Sequence, residues 1–380
     1  MKNSWWGTPR MITDMIQNRK ISWLELFSDL VYVVIIHGFV ENLSTHFSLD
    51  GFISFWILFL FIFNTWTNMV LFFDLHGENN LRNTFFALLQ IVAISFTAAF
   101  TPAYFAGHYT GFIIAYTFNQ LIYMYLFFST MVADPAHGIT TKPFLIAYTV
   151  GELIFVGSIF IPSLTVQRLL IFIALVIFIS TVMGERNNFT TEFKQRGIPF
   201  TITPAIMERY GLFTMIVLGE SLAGLIEHGE HIHQLADYGL FLLLLLSVIG
   251  MWSVYYTFME QLRIEAQSYG PLSFFRGLHR FFIACLTLQS FFIAQLFEEP
   301  ERVFYSGYLI VTILLLCILF VMLRMRVFNP APLRWQTALL FPLGALVLLV
   351  LLALPLMVGL VVADLVLFTI GVSGWLLNMA

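Results

Sequence analysis

Run after run of apolar residues is long enough to cross a lipid bilayer, and no other feature limits the fold of this chain so severely. A spanning helix needs about 20 mostly apolar residues. Twelve such runs are read at 22–43, 51–74, 83–104, 111–133, 143–161, 166–184, 206–226, 237–258, 274–297, 303–323, 335–355 and 358–378. Polar breaks such as HGENN at 76–80, ADPAHG at 133–138 and FEEPER at 297–302 separate them. Only LPLM at 354–357 joins the last two, so a re-entrant hairpin is the alternative there to two full crossings. With 59% hydrophobic and 11% charged residues, the chain lies far from the quarter or so of charged residues typical of soluble domains. The strands of an outer-membrane barrel alternate apolar and polar residues, and these runs do not. The expected class is an all-α polytopic membrane protein of about twelve transmembrane helices whose first partner is the lipid bilayer.

Charge supplies the orientation. With the N-terminus inside, 16 of the 18 Lys and Arg residues fall on the cytoplasmic side, and only Arg168 and Arg302 fall outside. The positive-inside rule therefore predicts an even span count with both termini cytoplasmic. Residues 1–21 form an amphipathic leader whose Trp5 and Trp6 suit an interfacial anchor. Residues 185–205, the longest polar interval, read as a cytoplasmic linker between a first six-helix half at 22–184 and a second at 206–380. The NFT at 188–190 matches a glycosylation acceptor, but a cytoplasmic segment does not meet that machinery. A net charge of −4 gives no reason to expect a nucleic-acid partner.

The two halves show an internal similarity. LELFSDLVYVVIIHGFVENL in the first span aligns without gaps on MERYGLFTMIVLGESLAGLI in the seventh, placing Glu25 on Glu208 and His37 on Glu220. In the next spans Trp66 falls opposite Trp252, and Asp74 opposite Glu260. Six spans per half would make this a parallel repeat, related by an axis along the membrane normal.

Ionisable groups inside such spans are costly and must be protonated, paired or hydrated. Glu25 and Asp29, at i and i+4, share a helix face. Glu25 sits at the helix start, where a cap or a pair with Lys20 is the simple reading, while Asp29 is a turn deeper. His37 and Glu220 lie past the midplane, each beside a glycine, and Ser221 follows Glu220. Arg209 is too far from Glu220 for contact and is expected to pair with a carboxylate on another helix, Asp29 or Asp74. Asn64 and Asn68 give the second span a polar face, and Gln90, Gln120 and Asp364 add polar groups elsewhere. Interhelical packing bonds are the simpler account of each of these. Arg276, His279 and Arg280 form a basic stripe suited to snorkelling toward headgroups.

No cofactor is implied. There is no phosphate-binding glycine loop and no His–Cys metal spacing. HGEHIH at 228–233 reads as a solvated turn. Cys285 and Cys317 lie in apolar runs and give no disulfide framework. An enzyme reading rests on only the Arg276–Arg280 stripe with Glu260 and Glu265.

Two stretches carry a family resemblance that spans nearly the whole chain. SWLELFSDLVYV at 22–33, after the leader WWGTPRMITD, resembles the LELFFDLVFV-like signature of the bacterial low temperature requirement protein A family. ERYGLFTMIVLGES at 208–221 is similar to its second signature. The chain departs at Ser28, where Phe is commoner, and at Ala205 and Ile206, which leave no histidine before the Glu–Arg pair. Glu25, Asp29, Glu208, Arg209, Glu220 and Ser221 match motif positions. The resemblance implies a multi-pass protein of the bacterial cytoplasmic membrane. The family name records a cold-growth phenotype and implies no molecular activity.

Together these features lead to the expectation of a proton- or ion-coupled membrane transport protein for a small solute or ion. Asp29, His37, Asn68, Asp74, Glu220 and Ser221 line the path, and Glu25, Glu208, Arg209 and Arg280 form structural pairs. The alternatives are a proton or ion channel of otopetrin-like architecture and a membrane-embedded stress-response protein without transport activity. The Gly-Asp-Arg loop of major facilitator proteins is absent after the second span, where DLHGENNLR stands.

Overall fold

The structure is a computed structural model and describes residues 7–14, 19–78, 80–184, 186–259, 262, 264, 266–324 and 335–378. Trp5, Trp6, Glu260 and Glu265 lie outside the described residues. The helices in chain order are α1 (Trp23–Thr45), α2 (Leu49–His76), α3 (Leu81–Ala99), α4 (Thr101–Phe105), α5 (Thr110–Ala133), α6 (Gly138–Gly157) and α7 (Leu164–Gly184). They continue with α8 (Arg186–Arg196), α9 (Pro204–Glu227), α10 (Leu235–Met259), α11 (Tyr269–Glu298), α12 (Arg302–Arg324), α13 (Trp335–Leu351) and α14 (Leu356–Asn378). Among the described residues there is no β-strand, and 11 helices are long and apolar enough to cross a membrane. The chain is a multi-pass helical membrane protein. Its exposed apolar side chains, among them Phe27, Val34, Phe96, Ile114 and Leu153, meet lipid rather than water.

Local chemistry sets the helix ends. Ser22 and Glu25 form a reciprocal capping box at the start of α1, Ser48 caps α2 and Asn80 caps α3. Two expectations are refined. The run at 83–104 breaks after Ala99, because Pro102 cannot continue α3 but suits the first turn of α4. The run at 335–355 gives only the 17 helical residues of α13, about 25 Å of rise, short of the roughly 30 Å hydrocarbon core.

The chain divides into two compact units. The first holds the residues up to Arg209 together with 267–274. The second holds 210–266 and 275–380. In the first unit α2 is the central helix, touched by α1, α4, α5 and α7, and residues 61–72 are buried without interruption. Phe55, Phe59 and Phe63 stack along it at centroid distances of 6.0 and 5.4 Å. In the second unit α10 lies against α14. A Cβ on Gly250 would stand 2.9 Å from Leu367 Cβ, so the two helix backbones approach as only a glycine permits.

The polar interval at 185–205 is more than a connection, since it folds α8 onto α6 and α7. Phe189, Glu192 and Phe193 are buried, and Phe189 stacks on Tyr269 with centroids 4.4 Å apart. Arg196 holds Asp134, in the turn after α5, through bonds of 2.6 and 3.1 Å. Those bonds keep the Asp134 carboxyl below its usual range.

Candidate functional site

The ionisable groups of α1 are met by arginines from distant parts of the sequence. Asp29 and Glu25, one turn apart on one face, both point at Arg209 near the start of α9. Its Nε and Nη2 donate to Asp29 at 3.1 and 2.5 Å, and its Nη1 donates to Glu25 at 3.1 Å. Trp66 Nε1 donates to Asp29 at 2.7 Å, and the guanidinium carbon lies 5.9 Å from the indole centroid. On its other side Glu25 takes two bonds of 2.8 Å from Arg19. Arg19 Nε stands 3.6 Å from Asp74, which accepts from Thr203 Oγ1 at 2.6 Å. Arg10 donates to the Asp74 backbone carbonyl at 2.6 Å. Three carboxylates thus face three guanidiniums, in a planar, multidentate arrangement that lysine cannot reproduce. Glu25 pairs with Arg19 rather than Lys20, because Arg19 also reaches Asp74 while Lys20 is exposed.

Beside this cluster His76 Nδ1 donates to the Arg10 carbonyl at 3.0 Å, and its ring lies 5.0 Å from that of His137. His137 Nδ1 and Thr140 Oγ1 donate to Glu192 at 2.9 and 2.5 Å, and Arg196 Nε completes that carboxylate at 3.2 Å.

Deeper along α2 the groups become neutral. Asn68, about 9 Å of rise from Asp74, and Asn64 both donate to the Tyr148 hydroxyl on α6, at 2.5 and 3.1 Å. Thr65 donates to Tyr116 on α5 at 3.0 Å and accepts from Asn119 at 3.3 Å. One turn beyond Tyr148 lies Glu152, 7% exposed, with Thr117 of α5 beside it. Asn68 Oδ1, Asn119 Oδ1, both amide atoms of Gln120 and both carboxylate oxygens of Glu152 are buried without a protein partner. Buried polar atoms are normally bonded to protein or to ordered water. The second unit has smaller polar sets. Ser221 meets Ser290, His279 Nε2 meets the Tyr255 hydroxyl at 3.1 Å, and Tyr308 donates to Ser247, which donates to Asp364 at 2.6 Å.

Of the residues singled out in the sequence, Glu25, Asp29, Asp74 and Arg209 converge in one cluster, and Asn68 stands in the column above it. His37 is half-buried, about 12 Å of rise beyond Asp29. Glu220, also half-buried, and Ser221 belong to the second unit. Glu208 is exposed, unlike Glu25 with which it aligns. Arg276 and Arg280 are buried rather than laid out toward headgroups, since their stripe faces the interior side of α11 with His279. Glu152 was passed over in the sequence, although it is the one charged residue in the run 143–161. Among the described residues no group of three His, Cys, Asp or Glu side chains could hold a metal ion.

In comparisons with known proteins, the family model described as "Bacterial low temperature requirement A protein (LtrA)" matches residues 20–373. No curated protein and no solved structure matches the chain.

Proposed function

The chain belongs to the bacterial low temperature requirement A family, and we propose that it is a proton- or ion-coupled transport protein of the bacterial inner membrane whose path runs through the polar interior of its first unit. One observation carries this reading. The most buried helix of that unit bears a continuous line of amide and hydroxyl groups, with partnerless acceptors around it, where a purely structural core would be apolar. In a bilayer such polarity is retained where it lines a pathway. The Glu25–Arg209–Asp29–Asp74 cluster stands at the end of the line where α1 begins, placed to close it. Its charges are committed to one another, so we assign Asp29 to the closure rather than to carrying a proton.

Proteoliposomes test this. Movement of protons, sodium or potassium down an imposed gradient, alone and with a panel of amino acids and organic acids, should exceed that of empty vesicles. Asn119→Leu, which places an apolar side chain in the line, should lower it by about tenfold or more, the scale of losing one well-placed polar group. Folded, reconstituted protein that leaves vesicles as tight as empty ones under every condition would contradict the reading.

A further inference from the structure

We propose that Glu152 is the site at which a monovalent cation, a proton or an alkali ion, is held in the first unit. The proposal deepens the transport reading and rests on it for the purpose of the site, although binding is measured without flux.

A buried carboxylate is very costly unless something offsets its charge. The other buried carboxylates of this region have fixed partners: Glu25, Asp29 and Asp74 face Arg19, Arg209 and Arg10, while Glu192 and Asp134 share Arg196. Glu152 has none. Helix α5, which packs against α6, contains no charged residue. On α6 itself, Lys142 is exposed and about 15 Å of rise away. At the start of α7, Arg168 is bound to Asp50 and Tyr109. Arg82 on α3 is bound to Asn83 and Ser129. Thr117 and Tyr116 of α5 lie near Glu152, and Tyr116 and Tyr148 join the hydrogen-bonded set of Asn64, Thr65, Asn68 and Asn119, none of them cationic.

The character of these neighbours narrows the ligand. Asn68 Oδ1, Asn119 Oδ1 and Gln120 Oε1 are unsatisfied oxygen acceptors, as are both oxygens of Glu152. Oxygen donors suit a hard cation or a proton. One carboxylate balances one positive charge, so a monovalent cation leaves the site neutral. A mobile cation supplies the compensating charge that the fixed arginines do not.

The test uses the full-length protein in detergent or nanodiscs. Thermal midpoint is followed against sodium and potassium at constant ionic strength. Infrared spectra are followed against pH for the carbonyl stretch of a protonated carboxylic acid. An alkali-ion site gives a rise of several degrees with one of the two ions, abolished in Glu152→Gln. A proton site gives a carboxylic-acid band at neutral pH, absent in Glu152→Gln. Wild-type protein insensitive in both readouts, or signals that survive unchanged in Glu152→Gln, would overturn the proposal. Should Glu152→Gln fail to fold, Glu152→Asp keeps the charge but retracts it. The ion midpoint should then weaken by about tenfold or more, and an unchanged midpoint would also overturn the site. Binding without any flux in vesicles would remove the transport reading and leave the site standing.

Discussion

Arg209→Ala should yield a protein that is poorly folded or severely destabilised. Arg209 is 1% exposed and supplies two of the three bonds that Asp29 receives and one of those that Glu25 receives. Its removal strands a carboxylate among apolar helices with only Trp66 to donate to it. Breaking a buried pair in this way costs about 3–5 kcal/mol, a large share of the roughly 5–15 kcal/mol that holds a protein folded. Arg209→Lys should be intermediate, because an ammonium cannot bond both oxygens of Asp29 and reach Glu25 together. The informative variant is the double one, Asp29→Asn with Arg209→Gln. It leaves no unpaired charge and should recover much of the loss, so the two single effects will not add. Thermal unfolding in detergent, followed by size-exclusion profile, gives all three values. Equal midpoints for Arg209→Ala and wild type would show that the cluster is not held as described.

Glu192→Ala should release α8. Glu192 is 1% exposed and is the common acceptor for His137, Thr140 and Arg196. Its loss leaves the first two as buried donors, at about 1–3 kcal/mol each, and removes one of the two carboxylates that hold Arg196. The expected result is rapid tryptic cleavage after Lys194 and Arg196 under conditions where wild-type protein is cut slowly, with the spanning helices intact. Identical cleavage rates would mean that the aromatic contacts of Phe189 and Phe193, with the Arg196–Asp134 pair, hold α8 in place without Glu192.

The sequence carries the fold unevenly, and the reason is physical. Spanning helices are legible because lipid demands unbroken apolar length, and one demand leaves one pattern. The need of Asp29 for a distant arginine is legible in the same way, since a charge in a membrane must be answered and Arg209 is the cation at a matching depth. What answers Glu25 on its other side is not legible, because Arg19 and Lys20 are adjacent and only the path of the chain before α1 chooses between them. Helix α8 is hidden by its polarity, as only Phe189, Glu192 and Phe193 of its eleven residues are buried. Glu152 is hidden for the opposite reason. A single carboxylate in an apolar run looks the same whether or not a cation waits for it on a neighbouring helix, and only the assembled unit reveals that none does.

The proposed path requires the interior of the first unit to be a wet, ion-accessible line rather than a dry polar core. A cryo-electron microscopy map of the reconstituted protein, sharp enough to show ordered water, tests it most directly. Density for water or an ion should appear at hydrogen-bonding distance from Asn68 Oδ1, Asn119 Oδ1, Gln120 and the Glu152 carboxyl. A map with no such density, in which these side chains turn to satisfy one another, would contradict it.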